Sequence, residues 1–270
     1  MWRMQSARVA HEKLAGMNEE PRLHQNSQTI SLSFETTLIQ SCMRLDDPDD
    51  LVLDYTRTMM GFLLFNPAPA SVLMIGLGGG SMLKYLHRHL PEADLTAVEI
   101  NQGVIDMRHS FCIPPDSDRL RIVCADGAKF VAKPPRNYDV ILVDGFTGAG
   151  MPEALCSRSF YQHCRAALTP EGLLVANVQA DTAQTVEVNR RLSKAFSGCM
   201  ISVESDEGGN AIATAGSRPA FERCLAEFDA RWAALSASHQ ETLAVSSSRV
   251  QRALLKNSRP TNAGPHRILS

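Results

Sequence analysis

Two short segments carry the residue types of a nucleotide site. The segment 76–80 reads Gly-Leu-Gly-Gly-Gly and lies between an apolar run and a helical pattern that begins near Met82. Glycines at such a turn let the backbone approach a ligand and leave the N–H groups of the helix N-terminus free to donate. A second apolar run ends, about twenty residues on, at Glu99, where a carboxylate can accept hydrogen bonds from both hydroxyls of a ribose. Together these segments predict a nucleotide site.

Two more carboxylates close apolar runs. Asp126, followed by Gly127, ends a third run, and Asp144 ends a fourth. Parallel strands joined by right-handed crossovers end at one edge of a sheet, so both side chains are expected near the glycine-rich turn. Asp126 either accepts from an adenine amino group or caps the helix that begins at Ala128, and the two roles are compatible. Asp144 either initiates a turn before Gly145 or orients and deprotonates an amine nucleophile.

A strand-then-helix rhythm positions these residues, because short apolar runs of this kind are buried on both faces of a parallel sheet. Strands are expected at Val72–Ile75, Leu95–Glu99, Arg121–Cys124, Val140–Val143 and Leu173–Val178, with Met200–Val203 and Ala211–Ala215 as a closing hairpin. The expected fold class is α/β: a mostly parallel, seven-stranded, Rossmann-like sheet with helices on both faces. This is the arrangement of transferases that depend on S-adenosylmethionine (SAM).

The rest of the chain forms an annex and two ends. Residues 29–42 alternate as a β-hairpin does, and the carboxylates of Asp46–Asp49 are placed to begin a helix that ends near Leu64. The expected organisation is a disordered tail over residues 1–28 and a hairpin with a helix over 29–66. A nucleotide-binding catalytic domain over 67–240 and a disordered basic tail over 241–270 follow.

Composition limits the partners. The net charge of −2 gives no field that would favour nucleic acid or an anionic membrane, so a small-molecule substrate is expected. The seven cysteines are odd in number and include no Cys-x-x-Cys pair, which argues for reduced thiols in the cytoplasm and against a zinc site. Residues 1–21 lack the apolar stretch of a signal peptide, and no membrane-spanning segment is expected.

An ordered series of motifs resembles the spermidine synthase (polyamine aminopropyltransferase) family. The segment Asp144–Tyr161 aligns without a gap with the family stretch that begins Asp-Ser-Ser-Asp-Pro and ends Phe-Tyr. Further matches, at the glycine-rich turn, Glu99-Ile100, Asp126-Gly127, Tyr138-Asp139 and the segment 168–172, extend the resemblance over roughly residues 32–215.

The resemblance implies a reaction and a set of residue roles. The family reaction transfers an aminopropyl group from decarboxylated SAM to an amine or polyamine and uses no metal. Because members of the family commonly pair, the resemblance also implies a homodimer. The implied catalytic residues are Asp144, beside the attacking amine, and Tyr55, which lines the amine pocket. The implied donor-binding residues are Gln40, Glu99 and Ile100 for the nucleoside, Asp126 and Gly127 for the adenine, and Gly76, Gly78, Gly79 and Gly80 for the sulfonium side.

The sequence departs from the family pattern at its acidic positions. Gly79 replaces an Asp that faces the donor's ammonium, Thr147 replaces the second acid of Asp-x-x-Asp, and Thr56 replaces a His. A dicationic amine would therefore meet fewer counter-charges. Three functions stay open: aminopropyl transfer, methyl transfer from intact SAM, and nucleotide binding or interaction without catalysis on the same fold.

Overall fold

The computed structural model describes residues 20–34, 39–147 and 150–258. A small antiparallel sheet comes first, with strands β1 (Arg22–Gln25), β2 (Thr29–Ser33) and β3 (Ile39–Arg44). A seven-stranded sheet follows, with β4 (Ser71–Ile75), β5 (Asp94–Glu99), β6 (Leu120–Cys124), β7 (Tyr138–Val143), β8 (Leu168–Gln179), β9 (Met200–Glu204) and β10 (Asn210–Ala215).

The strand order of the larger sheet is β6-β5-β4-β7-β8-β10-β9. The strands from β6 to β8 pair in parallel, whereas β10 pairs antiparallel with both β8 and β9. The chain therefore builds outward from β4 to β6 and then returns to the other side of β4 at β7. Ligands of open α/β sheets bind at such a reversal, outside the carboxyl ends of the strands. The predicted mostly parallel, seven-stranded sheet is confirmed.

Helices cover both faces of this sheet. Alternate side chains of β4 belong to separate apolar clusters, with Val72 and Met74 in one and Leu73 and Ile75 in the other, as a strand buried on both faces requires. The α-helices are Asp54–Met59, Ser81–His89, Gln102–Asp106, Gly127–Ala132, Glu153–Cys156, Arg158–Ala167, Ala183–Ala195, Arg218–Ala226, Phe228–Ala234, Ala237–Leu243 and Ser247–Asn257, with 3-10 turns at Met60–Leu64 and Met107–His109. Across the described ranges, no helix is long and apolar enough to cross a bilayer.

Two segments predicted as tails carry regular structure. Residues 22–25 form β1, which pairs with β2. Residues 247–257 form a helix that buries Val250 and Leu254. These two apolar residues are four positions apart and therefore lie on one helix face. Because the residues around them are mostly polar, the sequence did not indicate an amphipathic helix. The tail prediction is therefore wrong for these segments, while residues 1–19 and 259–270 lie outside the described residues.

The annex differs from its prediction at one point. The β2–β3 hairpin is present, although residues 35–38 lie outside the described part of the chain. The helix predicted to start at Asp46–Asp49 begins only at Asp54. Asp46 instead forms an ion pair with Arg44, so its carboxylate serves the turn that follows β3 rather than a helix N-terminus.

Candidate active site

A cavity of about 790 Å³ opens at the carboxyl ends of β4, β5 and β7, on the reversal in strand order. This volume is typical of a site for a small ligand. Glu99, Asp126, Asp144 and Glu153 line it, and no Lys, Arg or His lies among its described lining residues. The cavity is therefore acidic and suits a cationic ligand.

The turn after β4 brings the backbone of β4 against that of β7. Gly76 has φ +93°, and a Cβ at this position would lie 2.2 Å from the carbonyl oxygen of Asp144. The Asp144 N–H donates to the carbonyl of Ile75 over 2.8 Å. Only glycine allows this close approach, which sets the Asp144 side chain beside the glycine-rich turn.

Glu99 ends β5 with its carboxylate buried. Oε2 accepts from the Leu77 N–H and Oε1 from the Asn101 N–H, each over 2.9 Å. Burial raises the pKa of Glu99, against the lowering effect of these backbone donors. The N–H groups of Ile100 and Gly78 also donate to this carboxylate, and the ribose contact of Glu99 stays a prediction. Glu99 thus also ties the glycine-rich turn to β5, a structural role that the sequence analysis did not assign.

Asp126 is the N-cap of the helix Gly127–Ala132. Its Oδ1 accepts from the Ala128 N–H over 3.0 Å, which establishes the capping role that the sequence left open. Its Oδ2 lies 3.5 Å from Nζ of Lys129, and both Asp126 and Gly127 line the cavity. The adenine contact stays a prediction, and it is compatible with the cap.

Asp144 is half-buried, and two donors hold its carboxylate. Tyr55 Oη donates to Oδ2 over 3.1 Å, and Asn177 Nδ2 donates to Oδ1 over 2.8 Å. Asn210 Nδ2 donates in turn to Oδ1 of Asn177 over 2.9 Å. Burial raises the pKa of Asp144, and the two hydrogen bonds oppose that rise. Burial and the neighbouring Asp144 charge raise the pKa of Tyr55 well above its usual value, so the phenol stays a donor.

Most of the predicted site residues share this cavity. The cavity is lined by Gln40, Tyr55, Gly76, Gly78, Glu99, Ile100, Asp126, Gly127 and Asp144. Gly79 and Gly80 are not among its walls, because a Cβ at these positions would meet the Phe111 ring at 2.7 Å and Ile113 at 2.5 Å, respectively. The donor contact predicted for the backbone of these two glycines stays a prediction.

Asn177 and Glu153 are among the cavity residues that the sequence analysis missed. Asn177 was detectable as the one polar residue inside the apolar run Leu173–Val178, where a buried amide needs a partner. Glu153 lies within the segment that resembles the family, but nothing in its spacing indicated that it lines the cavity. Within the described ranges, no group of three or more metal-ligating side chains occurs.

Comparison with known proteins identifies the family. The model of the spermine/spermidine synthase domain matches residues 53–204. The chain belongs to the spermine/spermidine synthase family. A polyamine aminopropyltransferase of Chromobacterium violaceum is 42% identical over 186 residues, which are 68% of this chain and 70% of that protein. One from Neisseria meningitidis serogroup A is 38% identical over 197 residues, 72% of this chain and 73% of that protein. Both relatives are transferases by name, in agreement with the predicted enzyme class.

Solved structures of spermidine synthases and of a methyltransferase-like protein share the fold. A probable spermidine synthase from Corynebacterium glutamicum aligns with a TM-score of 0.63 at 22% identity, over 77% of this chain and 82% of that one. A spermidine synthase in complex with the transition state analogue AdoDATO gives 0.57 at 22%, over 85% and 89%. Human methyltransferase-like protein 13 in complex with SAH gives 0.54 at 22%, over 80% and 95%. The predicted SAM-dependent transferase fold is confirmed.

Proposed function

We propose that this protein transfers an aminopropyl group from decarboxylated SAM to an amine or polyamine. The observation that carries the proposal is the half-buried carboxylate of Asp144, held by Tyr55 and Asn177 at the wall of an acidic cavity. The relatives named polyamine aminopropyltransferases, at 38% and 42% identity, support the same reaction.

For this reaction the protein needs to position the donor and the amine and to supply a group that accepts a proton from the amine. The amine lone pair forms a bond to the aminopropyl carbon attached to sulfur, and the C–S bond breaks with its electron pair staying on sulfur. The products are 5′-methylthioadenosine and the lengthened amine, which releases a proton. An alkylamine has a pKa near ~10, so it is mostly protonated at neutral pH and needs a base. Asp144 takes that role, since burial has raised its pKa.

The strand order supports the orientation of the donor. Glu99 ends β5 and Asp144 follows β7, with β4 between them. Strands are spaced about 4.8 Å apart, so the two carboxylates stand roughly 10 Å apart across the sheet edge. A nucleoside held at Glu99 and Asp126 then extends its sulfonium across Gly76–Gly78 toward Asp144.

Glu153 compensates for the missing second acid of the family motif. It lines the same cavity, and its carboxylate makes no hydrogen bond or ion pair with any described residue. Each of the other three carboxylates of the cavity already accepts at least two hydrogen bonds. We infer that Glu153 binds the second ammonium of a diamine or polyamine acceptor.

Methyl transfer from intact SAM is the second candidate. It is favoured by Gly79, because no carboxylate at that position repels the carboxylate of the intact donor.

Incubation with a short linear diamine and either donor separates the two reactions by mass spectrometry. Decarboxylated SAM should give 5′-methylthioadenosine and a triamine. A methylated diamine formed from intact SAM would favour methyl transfer, and no product from either donor would favour a non-catalytic role. The expected homodimer and cytoplasmic location stay proposals.

A further inference from the structure

Ser41 presents a hydroxyl to the cavity without a protein partner. It lies on β3 and is only 7% exposed, yet it lines the cavity. Its hydroxyl makes no hydrogen bond with any residue in the described part of the chain. Its Oγ is not among the fully buried polar atoms that lack a partner, so it is accessible from the cavity. This hydroxyl is therefore available to a ligand.

The position of Ser41 indicates which part of a ligand it meets. Its Oγ lies 2.6 Å from the point that a Cβ at position 79 would occupy and 3.9 Å from the corresponding point at Gly78. The small N-terminal sheet thus places this hydroxyl over the glycine-rich turn. In the proposed function, a donor that extends from Glu99 toward Asp144 would pass over that same turn and bring its amino-terminated tail within reach of Ser41.

We propose that Ser41 binds the amino end of the donor's tail, an inference that rests on the proposed function. The hydroxyl oxygen accepts a hydrogen bond from the tail's ammonium. Because a hydroxyl can also donate, it tolerates the carboxylate that intact SAM adds beside that ammonium. Ser41 therefore anchors the tail without the charge selection that a carboxylate would impose.

Packing prevents a carboxylate from taking this role at position 79. A Cβ there would lie 2.7 Å from Cδ1 of Phe111, whose ring is 1% exposed. The Phe111 carbonyl accepts from Nζ of the buried Lys84 over 2.8 Å, which holds this segment in place. The neutral anchor on β3 is consistent with a glycine at position 79.

Calorimetry on the full chain tests the proposal with three ligands: decarboxylated SAM, intact SAM and 5′-methylthioadenosine, which has the nucleoside but no amino tail. Ser41→Ala should weaken binding of both tailed ligands by about tenfold, the equivalent of ~1.4 kcal/mol. It should change 5′-methylthioadenosine by less than about twofold. Ser31→Ala is the matched control, because Ser31 lies on the adjacent strand β2, outside the cavity walls.

The outcomes separate this inference from the proposed function. Equal losses for all three ligands would mean that Ser41 only supports the shape of the site, and unchanged affinities would mean that its hydroxyl does not touch the tail. Either result overturns the inference while leaving aminopropyl transfer in place. A selective loss of tail binding in a protein that transfers no aminopropyl group would support Ser41 and refute the proposed function. A wild-type protein that binds none of the ligands would refute both.

Discussion

Tyr55 Oη lies 3.1 Å from Oδ2 of Asp144, although 89 positions separate the two residues in the chain. The sequence indicated both residues for the site, and the fold brings them into contact at its reversal point. Because the Tyr55 pKa is raised, the phenol donates to Asp144 and does not compete for its proton. Together with Asn177 it fixes the carboxylate plane, so that the remaining acceptor positions are available to an amine.

Asp144→Asn should make the protein relatively more stable as the pH rises. Burial raises the folded-state pKa of Asp144, so its contribution to stability is fully present below the unfolded pKa of ~3.9 and is lost as the pH rises through the folded pKa. Above that range the wild type carries a partly desolvated charge that the amide lacks. Thermal unfolding at about pH 5 and about pH 8 should show the melting temperature of the variant rising relative to wild type.

Asp139→Asn is the control for this experiment. Asp139 Oδ2 accepts from the N–H groups of Ala70 and Ser71, so the amide should lower stability at both pH values. A difference between Asp144→Asn and wild type that does not vary with pH would show that burial leaves Asp144 with an ordinary pKa.

Glu153→Gln should weaken the acceptor's second contact and leave the chemical step intact. The KM for a diamine should rise about fivefold, as loss of one solvent-accessible ion pair of ~1 kcal/mol requires, with kcat little changed. The KM for a monoamine of equal length should stay within about twofold, because it has no second ammonium. Glu222→Gln, an exposed change outside the cavity walls, is the control. Equal effects on the diamine and the monoamine would remove Glu153 from the acceptor site.

Gly79→Ala should destabilise the protein, because the added Cβ would meet Ser41 Oγ at 2.6 Å and the buried Phe111 ring at 2.7 Å. Overpacking of this kind costs roughly 1–3 kcal/mol, a fall of about 2–10 °C in melting temperature for a domain of this size. Gly61→Ala is the comparison, since its Cβ would make only an ordinary 3.5 Å contact with Val250. Equal melting temperatures for both variants would show that the Phe111 ring can move aside without a measurable loss of stability. Gly79→Asp, the substitution that would be expected to favour decarboxylated SAM over intact SAM, would introduce the same close contacts.

His239→Gln should make the protein less sensitive to acid. His239 is buried, with Nδ1 2.7 Å from Tyr85 Oη, and burial is the main cause of its pKa falling to about 4. The unfolded chain therefore takes up the proton first, and His239 costs stability as the pH falls from ~6.5 toward that value. Urea unfolding at about pH 7 and pH 5 should show a smaller loss for this variant than for wild type or for exposed His163→Gln. Equal losses in all three proteins would exclude this linkage.

The sequence was most informative where a feature is local. Runs such as Val140–Val143 identify buried parallel strands, and the topology of such sheets places Glu99, Asp126 and Asp144 at one edge. Three features depended on contacts distant in sequence: the Asn177 hydrogen bond to Asp144, the clash of a Cβ at position 79 with Phe111, and the packing of Val250. The glycine-rich turn indicated a ligand, but the atoms that fill the space beside it come from β3 and the segment around Phe111.

Acceptor-dependent release of 5′-methylthioadenosine from decarboxylated SAM measures whether Asp144 serves an aminopropyl transfer to an amine. Wild type should release this product only when a diamine is present. Asp144→Asn should slow the release by at least about a hundredfold, as loss of a general base does, with donor affinity within a few-fold of wild type. Release that does not depend on the diamine, or that continues at the wild-type rate in Asp144→Asn, would show that Asp144 is not the base of an aminopropyl transfer.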